Sequence, residues 1–247
     1  LSAGGKKTGL RLDALLVSRG LAADERRAQA LVLAGQVLSG DTLLDKPGLR
    51  VAADLPLRLR GQKAFASRAG AKLEAGLEAA GFQVEGLRCL DLGASTGGFT
   101  HCLLKRGAAK VIAVEAGYNQ LDWALRQDPR VDSREGCDAL GLSPEALGGP
   151  VDFACADLSF AKSAPFFPLL AALLAKGAAW VFLVKPQFEV GVADLDHGIV
   201  RDLDARQRAL AGAWAAAQAA GLGPLGHLES PLAGAKGNHE WLLWGRR

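Results

Sequence analysis

The residues best suited to chemistry lie in one stretch, CLDLGASTGGFT, residues 89–100, where an apolar segment runs into a glycine-rich turn. A turn of this kind after a strand commonly holds a nucleotide, and several ligand classes share it. A Walker loop needs GxxxxGK[ST], with the lysine reaching the phosphates. Gly93 and Gly98 are suitably spaced, but Phe99 replaces the lysine, which argues against ATP or GTP hydrolysis. The dinucleotide fingerprint GxGxxG needs its second glycine so that backbone can approach a pyrophosphate. Ser95 occupies that position, so NAD or FAD fits poorly.

What remains is an acidic residue followed by spaced glycines: Asp91, Gly93 and Gly97. A carboxylate at a strand end suits a cationic, phosphate-free ligand, because it accepts hydrogen bonds from an ammonium group. S-adenosylmethionine is such a ligand, and Ser95, Thr96, Gly97, Gly98 and Phe99 are expected to shape its site. The next strand, VIAVEAG, ends in Glu115, about twenty residues on, where an acidic residue grips ribose hydroxyls. Asp138 follows the third strand and is expected to accept a bond from the adenine amino group. Taken singly, either acid would be a solvated loop residue; their register after successive strands favours cofactor contact.

The elements that must position these residues form two blocks. LRLDALLVSRG and AADERRAQALVLAGQV predict helices, the second with Asp24 as N-cap and Gly35 at its end. Short β-prone pieces around VLSG, TLLD and LRVAADLPLRLR follow, so residues 10–60 read as a small α+β binding module. A basic tail over 1–9 precedes it and a linker over 61–64 follows. From residue 65 to 247, helical and strand patterns alternate. SRAGAKLEAGLEAAG is a helix with Ser67 as N-cap candidate, and GGFTHCLLKRG, NQLDWALRQ, APFFPLLAALLAKG and DARQRALAGAWAAAQAAG are helices. LRCLDL, KVIAVEA, RVDSRE, VDFACADL and AAWVFLVK are strands, and GPLGHLES with HEWLLW forms an antiparallel pair. This alternation predicts an α/β, Rossmann-like, mostly parallel sheet of seven strands with ligands beyond the strands' carboxyl ends.

Composition narrows the class. The 247 residues are 49% hydrophobic, enough for a full core, yet no apolar run approaches a bilayer-spanning length. The N-terminus lacks the apolar core of a secretory signal. Cys89, Cys102, Cys137 and Cys155 form no CxxC pair, which reads as reduced thiols in a cytoplasmic protein, and the histidines show no metal-ligand spacing. Net charge is only +3, but residues 1–63 concentrate basic side chains, including Arg11, Arg19, Arg26 and Arg27. A basic segment on a nearly neutral body points to a polyanion partner.

The motifs SRAGAKL, CLDLGASTGGFT, VEAGYNQLDW, ADLSF, LVKPQFE, GIVRD and KGNHEWLL carry a resemblance. Residues 67–244 resemble the FtsJ-like RNA methyltransferases, and the whole chain is similar to their TlyA (haemolysin-A-like) branch. Residues 10–60 resemble the RNA-binding fold of small-subunit ribosomal protein four. Three positions depart from the family pattern: Glu115 where Asp is usual, Asp138 where Asn is frequent, and Asp196-His197-Gly198 where Lys-Gly-Gly is usual.

The resemblance implies ribose 2′-O-methylation of cytidines in ribosomal RNA by a Lys-Asp-Lys-Glu tetrad, matched here by Lys72, Asp157, Lys185 and Glu240. The implied partners are ribosomal RNA or ribosomal subunits, without metal or membrane, and a monomer is expected. A ribose hydroxyl needs a base and a field favouring its alkoxide. Lys185 closes an apolar strand, where desolvation favours a neutral amine. Asp157 would orient it and face the sulfonium, Lys72 would stabilise negative charge on the attacking oxygen, and Glu240 would position either lysine. Phe160 and Phe188 could stack on a flipped base or simply pack. Two other readings stand beside this one: a non-catalytic RNA-binding protein that keeps the fold, and a membrane-lytic protein.

Overall fold

The computed structural model describes residues 9–60 and 64–247. The expected tail over 1–9 and linker over 61–64 therefore fall almost wholly outside the described residues. The chain divides into two compact units, Leu1–Lys63 and Ala64–Arg247.

In the small unit, helices Leu12–Ser18 and Glu25–Leu33 pack Leu12, Leu16, Ala28 and Val32 together. Asp24 caps the second helix, its Oδ1 accepting from the Arg27 backbone N–H at 2.7 Å. Strands Val37–Ser39, Thr42–Leu43 and Arg58–Leu59 form a three-stranded antiparallel sheet, and Leu10–Arg11 pairs with Arg50–Val51.

In the large unit seven strands form one sheet: β1 (Arg88–Leu92), β2 (Lys110–Glu115), β3 (Val131–Glu135), β4 (Val151–Ala156), β5 (Leu174–Val184), β6 (Gly223–Glu229) and β7 (Trp241–Arg246). Their order is β6-β7-β5-β4-β1-β2-β3, with β7 antiparallel to both neighbours. Five helices flank them: α1 (Ala69–Ala80), α2 (Gly98–Lys105), α3 (Trp123–Gln127), α4 (Phe166–Leu173) and α5 (Leu203–Ala219).

Strand alternation assigns the faces. Cys89, Val111, Phe153, Val181 and Leu242 pack under α1 and α2 through Leu73, Leu77, Phe99 and Leu103. Leu90, Ile112, Ala154, Trp180 and Phe182 face α4 and α5 through Phe167, Leu170, Leu210 and Ala213. The chain runs β1→β2→β3 to one side and then returns to the other side of β1 for β4. The crevice between the carboxyl ends of β1 and β4 is thus the topological switch point, where open α/β sheets bind ligands.

Three local expectations change. The helix expected over residues 164–177 ends at Leu173, because Leu174 already pairs with Val151 of β4. The helix expected from NQLDWALRQ shrinks to Trp123–Gln127, capped by the Asp122 side chain on the Ala124 N–H at 2.9 Å. Arg68, not Ser67, is the N-cap of α1, and Ser67 Oγ accepts from the Ala69 N–H at 3.3 Å.

Candidate functional site

The site begins where β1 and β4 end. Leu92 pairs with Ala156, and the Asp157 N–H donates to the Leu92 carbonyl at 2.9 Å, so the two exits run side by side. Gly93 turns with φ +79, and a Cβ there would stand 2.6 Å from the Asp157 carbonyl oxygen. Only glycine meets both conditions.

Three cavities open at these strand ends. The largest, of about 530 Å³, has Gly93, Ser95, Glu115, Asp138 and Asp157 in its wall, with Val114, Ala139 and Phe166 as apolar surface. A second, of about 340 Å³, is lined by Phe160, Lys185, Phe188, Lys236, Asn238 and Glu240 among others. A small one, of about 130 Å³, includes Ser67, Gly93, Gly98, Phe99, Asp157 and Lys185. Ser159 lines all three.

The large cavity is anionic. Among the described residues its wall holds Glu115, Asp138 and Asp157 and no lysine or arginine. Such a wall favours a cation and disfavours a pyrophosphate. Its size and mixed polarity suit a nucleoside-sized ligand, so the residues present fit S-adenosylmethionine. Glu115 Oε2 accepts from the Ser95 N–H at 2.9 Å and Oε1 from the Gly117 N–H at 2.8 Å, which ties the end of β2 to the glycine-rich turn. Asp138 Oδ1 accepts from the Leu140 N–H at 3.0 Å, capping a single helical turn.

Five expected cofactor residues lie outside the wall of the large cavity, and two of them, Gly98 and Phe99, line the small one. Asp91 lies on the face of β1 that α2 covers and is wholly buried, accepting from the Thr100 hydroxyl at 2.7 Å. Burial pushes its carboxyl up to about 7, against the lowering effect of the Thr100 bond. It supports the turn from behind. Gly97 faces α3, where a Cβ would stand 2.3 Å from Leu125 and 2.8 Å from Leu121. Its smallness serves helix packing. Thr96 is exposed and outside the walls of the three cavities, while Phe99 belongs mainly to the core.

The remaining polar residues form two pairs. Lys185 follows β5, its Nζ standing 2.6 Å from Asp157 Oδ1 and donating to Ser159 Oγ at 2.9 Å. Glu240 precedes β7, where Trp241 pairs with Val184, so it stands beside Lys185 in the wall of the second cavity. Lys72 of α1 donates to Glu240 Oε2, and both side chains are buried. Lys72 is not part of the walls of these three cavities, and its side-chain bond is to Glu240. Phe160, 90% exposed with φ +62, stands with its ring centroid 5.3 Å from that of Phe188.

Sequence reasoning missed Ser159, Gln120 and Asn238. Gln120 lines the large cavity, and buried Asn238 bonds the Val200 N–H and the Gly198 carbonyl, both at 2.9 Å. Only their places inside the quoted motifs could have singled them out. In the small unit, Arg11 is paired with buried Asp13 at 2.6 Å, and Arg19 donates to the Leu55 carbonyl at 2.7 Å and to that of Ala53. Arg26 and Arg27 are exposed.

A seven-stranded sheet with an anionic cavity at its switch point, next to a lysine–carboxylate pair, defines the methyltransferase class of α/β proteins. The family model of FtsJ-like methyltransferases matches residues 65–247, and the chain belongs to that family. It is 45% identical to the 16S/23S rRNA (cytidine-2′-O)-methyltransferase TlyA of Mycobacterium tuberculosis, over 95% of this chain and 88% of that protein. It is 36% identical to Hemolysin A of Brachyspira hyodysenteriae, over 94% and 98% of the two chains. A solved structure from Streptococcus thermophilus that carries the hemolysin name superposes with a TM-score of 0.73 at 38% identity, covering 97% of this chain and 88% of that one. No helix among the described residues is long and apolar enough to cross a membrane.

Proposed function

We propose that this chain methylates the ribose 2′-hydroxyl of a cytidine in ribosomal RNA, in the cytoplasm, with S-adenosylmethionine as donor and Lys185 as base. The observation that carries this reading is the junction of the anionic cavity and the lysine-bearing cavity at Asp157, Ser159 and Lys185.

Glu115, Asp138 and the turn at Gly93 and Ser95 would hold the donor. When bound, S-adenosylmethionine supplies an electrophilic methyl group on a sulfonium. Lys185 prepares the hydroxyl. Lys185 donates to Ser159 Oγ and stands in ion-pair contact with Asp157 Oδ1, which accepts no hydrogen bond among the described residues. As the neutral amine it keeps the Ser159 bond and can turn its lone pair into the lysine-bearing cavity to take the hydroxyl proton. As the ammonium, the same group would stabilise the developing alkoxide. Asp157 and Ser159 anchor the amine, and positioning of this kind supplies much of the rate in an in-line displacement. Glu240, held by Lys72, keeps negative charge beside Lys185 in the substrate cavity.

The test is incubation of ribosomal subunits and free ribosomal RNA with the protein and labelled donor, followed by mapping of ribose methylation. The reading expects label at a cytidine 2′-oxygen. Label on a base, or none with either substrate, would end it.

A further inference from the structure

Glu115 and Glu135 end adjacent parallel strands and are direct register partners, two like charges side by side at the carboxyl edge of β2 and β3. Glu115 faces the large cavity; Glu135 is not part of its wall and belongs to no motif read from the sequence. Yet Glu135 is the most heavily bonded carboxylate of this edge. Its Oε1 accepts from the Gln120 N–H at 2.7 Å and the Leu121 N–H at 3.0 Å, and its Oε2 from the Asn119 N–H at 3.2 Å. Arg126 Nη2 pairs with Oε2 at 2.9 Å. Three successive amides converge on one carboxylate because Asn119 takes a left-handed conformation, φ +56.

The turn so gathered, residues 117–121, is the segment that meets Glu115. The Gly117 N–H donates to Glu115 Oε1, and Gln120 Nε2 lies 3.5 Å from the same oxygen. Gln120 itself lines the cavity. Tyr118 lies over Gly136, where a Cβ would stand 2.2 Å from the ring, and a Cβ on Gly117 would meet Gln120 at 1.9 Å. A surface turn held only by solvent would not need a carboxylate with a side-chain exposure of 13% at its centre.

We propose that Glu135 is a positioning residue for donor binding: it fixes the turn 117–121 and, through Gly117 and Gln120, sets the Glu115 carboxylate that faces the donor's ribose. The proposal rests on the reading of the large cavity as the S-adenosylmethionine site. Glu135 contributes no contact of its own to the ligand. Its amide bonds and its pairing with Arg126 also hold its carboxyl below the ordinary range, so the clamp stays charged at any pH at which the protein would be assayed.

The test uses the full chain and calorimetric titration with S-adenosylhomocysteine, beside an analogue lacking both ribose hydroxyls. For Glu135→Ala, affinity for S-adenosylhomocysteine should fall about tenfold, the scale set by leaving several polar groups unpaired. Affinity for the dideoxy analogue should change less than about twofold, because the ribose contact is already missing. Glu135→Gln keeps the amide acceptor and should recover most of the loss, and turnover at saturating donor should stay within about threefold of wild type. Equal losses for both ligands would assign Glu135 a general structural role and overturn the proposal, as would unchanged binding of S-adenosylhomocysteine. If Glu135→Ala fails to fold, Glu135→Met, which keeps the side-chain bulk and removes the acceptors, carries the same two-ligand comparison. A wild-type chain that does not bind S-adenosylhomocysteine would instead remove the cavity assignment itself.

Discussion

Asp157 Oδ1 stands 2.6 Å from Lys185 Nζ, across the carboxyl ends of two neighbouring parallel strands, with Ser159 Oγ accepting an N–H from the same amine. The two residues are 28 positions apart in the chain, and β4 and β5 bring them together. A lysine anchored this way is held at the wall shared by the second and the small cavity. Lys185→Ala should therefore cost several orders of magnitude in turnover, with little change in affinity for RNA or donor. Lys185→Arg should fail almost as badly, since a guanidinium keeps the charge but cannot take up a proton. Single-turnover rates resolve this; an active Lys185→Arg would make Lys185 an electrostatic anchor and send the search for the base elsewhere.

Ser159 gives a finer measure of the same geometry. Ser159→Ala removes one of the two contacts that orient the amine and leaves the Asp157 pair in place. Turnover should drop by about ten- to a hundredfold, the scale of a lost oriented hydrogen bond of 1.5–3 kcal/mol to a charged group. Donor affinity measured by calorimetry should stay near the wild-type value.

The Lys72–Glu240 pair is a stability element as well as a support for the site. Both side chains are nearly enclosed, so removing one partner strands a charge. Glu240→Leu or Lys72→Met alone should lower stability by about 3–5 kcal/mol. The double replacement Lys72→Met with Glu240→Leu should lose much less, because no unpaired charge remains. Thermal unfolding of the four chains forms a complete cycle, and additive losses would show that the pair is not coupled.

Asp91 links stability to pH. Its carboxyl, pushed up to about 7 by burial, binds its proton more tightly in the folded state than in the unfolded one. The sign follows: the unfolded chain releases this proton first, so folding weakens as pH rises between about 4 and 7. Above that window the cost is constant, and below it the group contributes nothing. Asp91→Asn keeps an acceptor for Thr100 and abolishes the titration. The stability difference between Asp91→Asn and wild type should shift in favour of the variant as pH rises through this range. Parallel denaturation curves with no such shift would mean that Asp91 is ionised throughout.

In the small unit the arginines separate into two groups. Replacing exposed Arg26 and Arg27 together should weaken RNA binding and flatten its salt dependence by about one to two in log–log slope. Arg11→Ala and Arg19→Ala should chiefly lower stability, because Arg11 pairs with buried Asp13 and Arg19 donates to the carbonyls of Ala53 and Leu55. Filter binding at several salt concentrations separates the groups.

Much of the large unit was legible in the chain itself. Alternating periodicities of strand and helix placed all seven strands, because a sheet covered on both faces requires near-continuous apolar runs and short turns between elements. The same rule explains one failure. In RCLDL, buried from Cys89 to Leu92, period-two alternation carries no polar signal, so nothing in the sequence says which face Asp91 joins. Packing of α2, through Thr100, decides it. The helix over residues 164–177 was overrun because LLAALLAKG satisfies a helical pattern, and only the pairing of Leu174 with Val151 turns its last residues into strand.

The candidate site divides in the same way. Residue types and spacing argued against phosphate-binding loops and pointed to Gly93, Glu115 and Asp138, since these sit at or just after strand ends whatever the packing. What the tertiary structure alone decided is which charges meet. Lys72 and Glu240 are separated by 168 positions, and Glu135 reaches its turn only because Asn119 adopts a left-handed conformation. Arg11 stays exposed, yet it also pairs with Asp13, which is buried beneath it. Pairing energies depend on distance and desolvation, and neither quantity exists until the strands are in register.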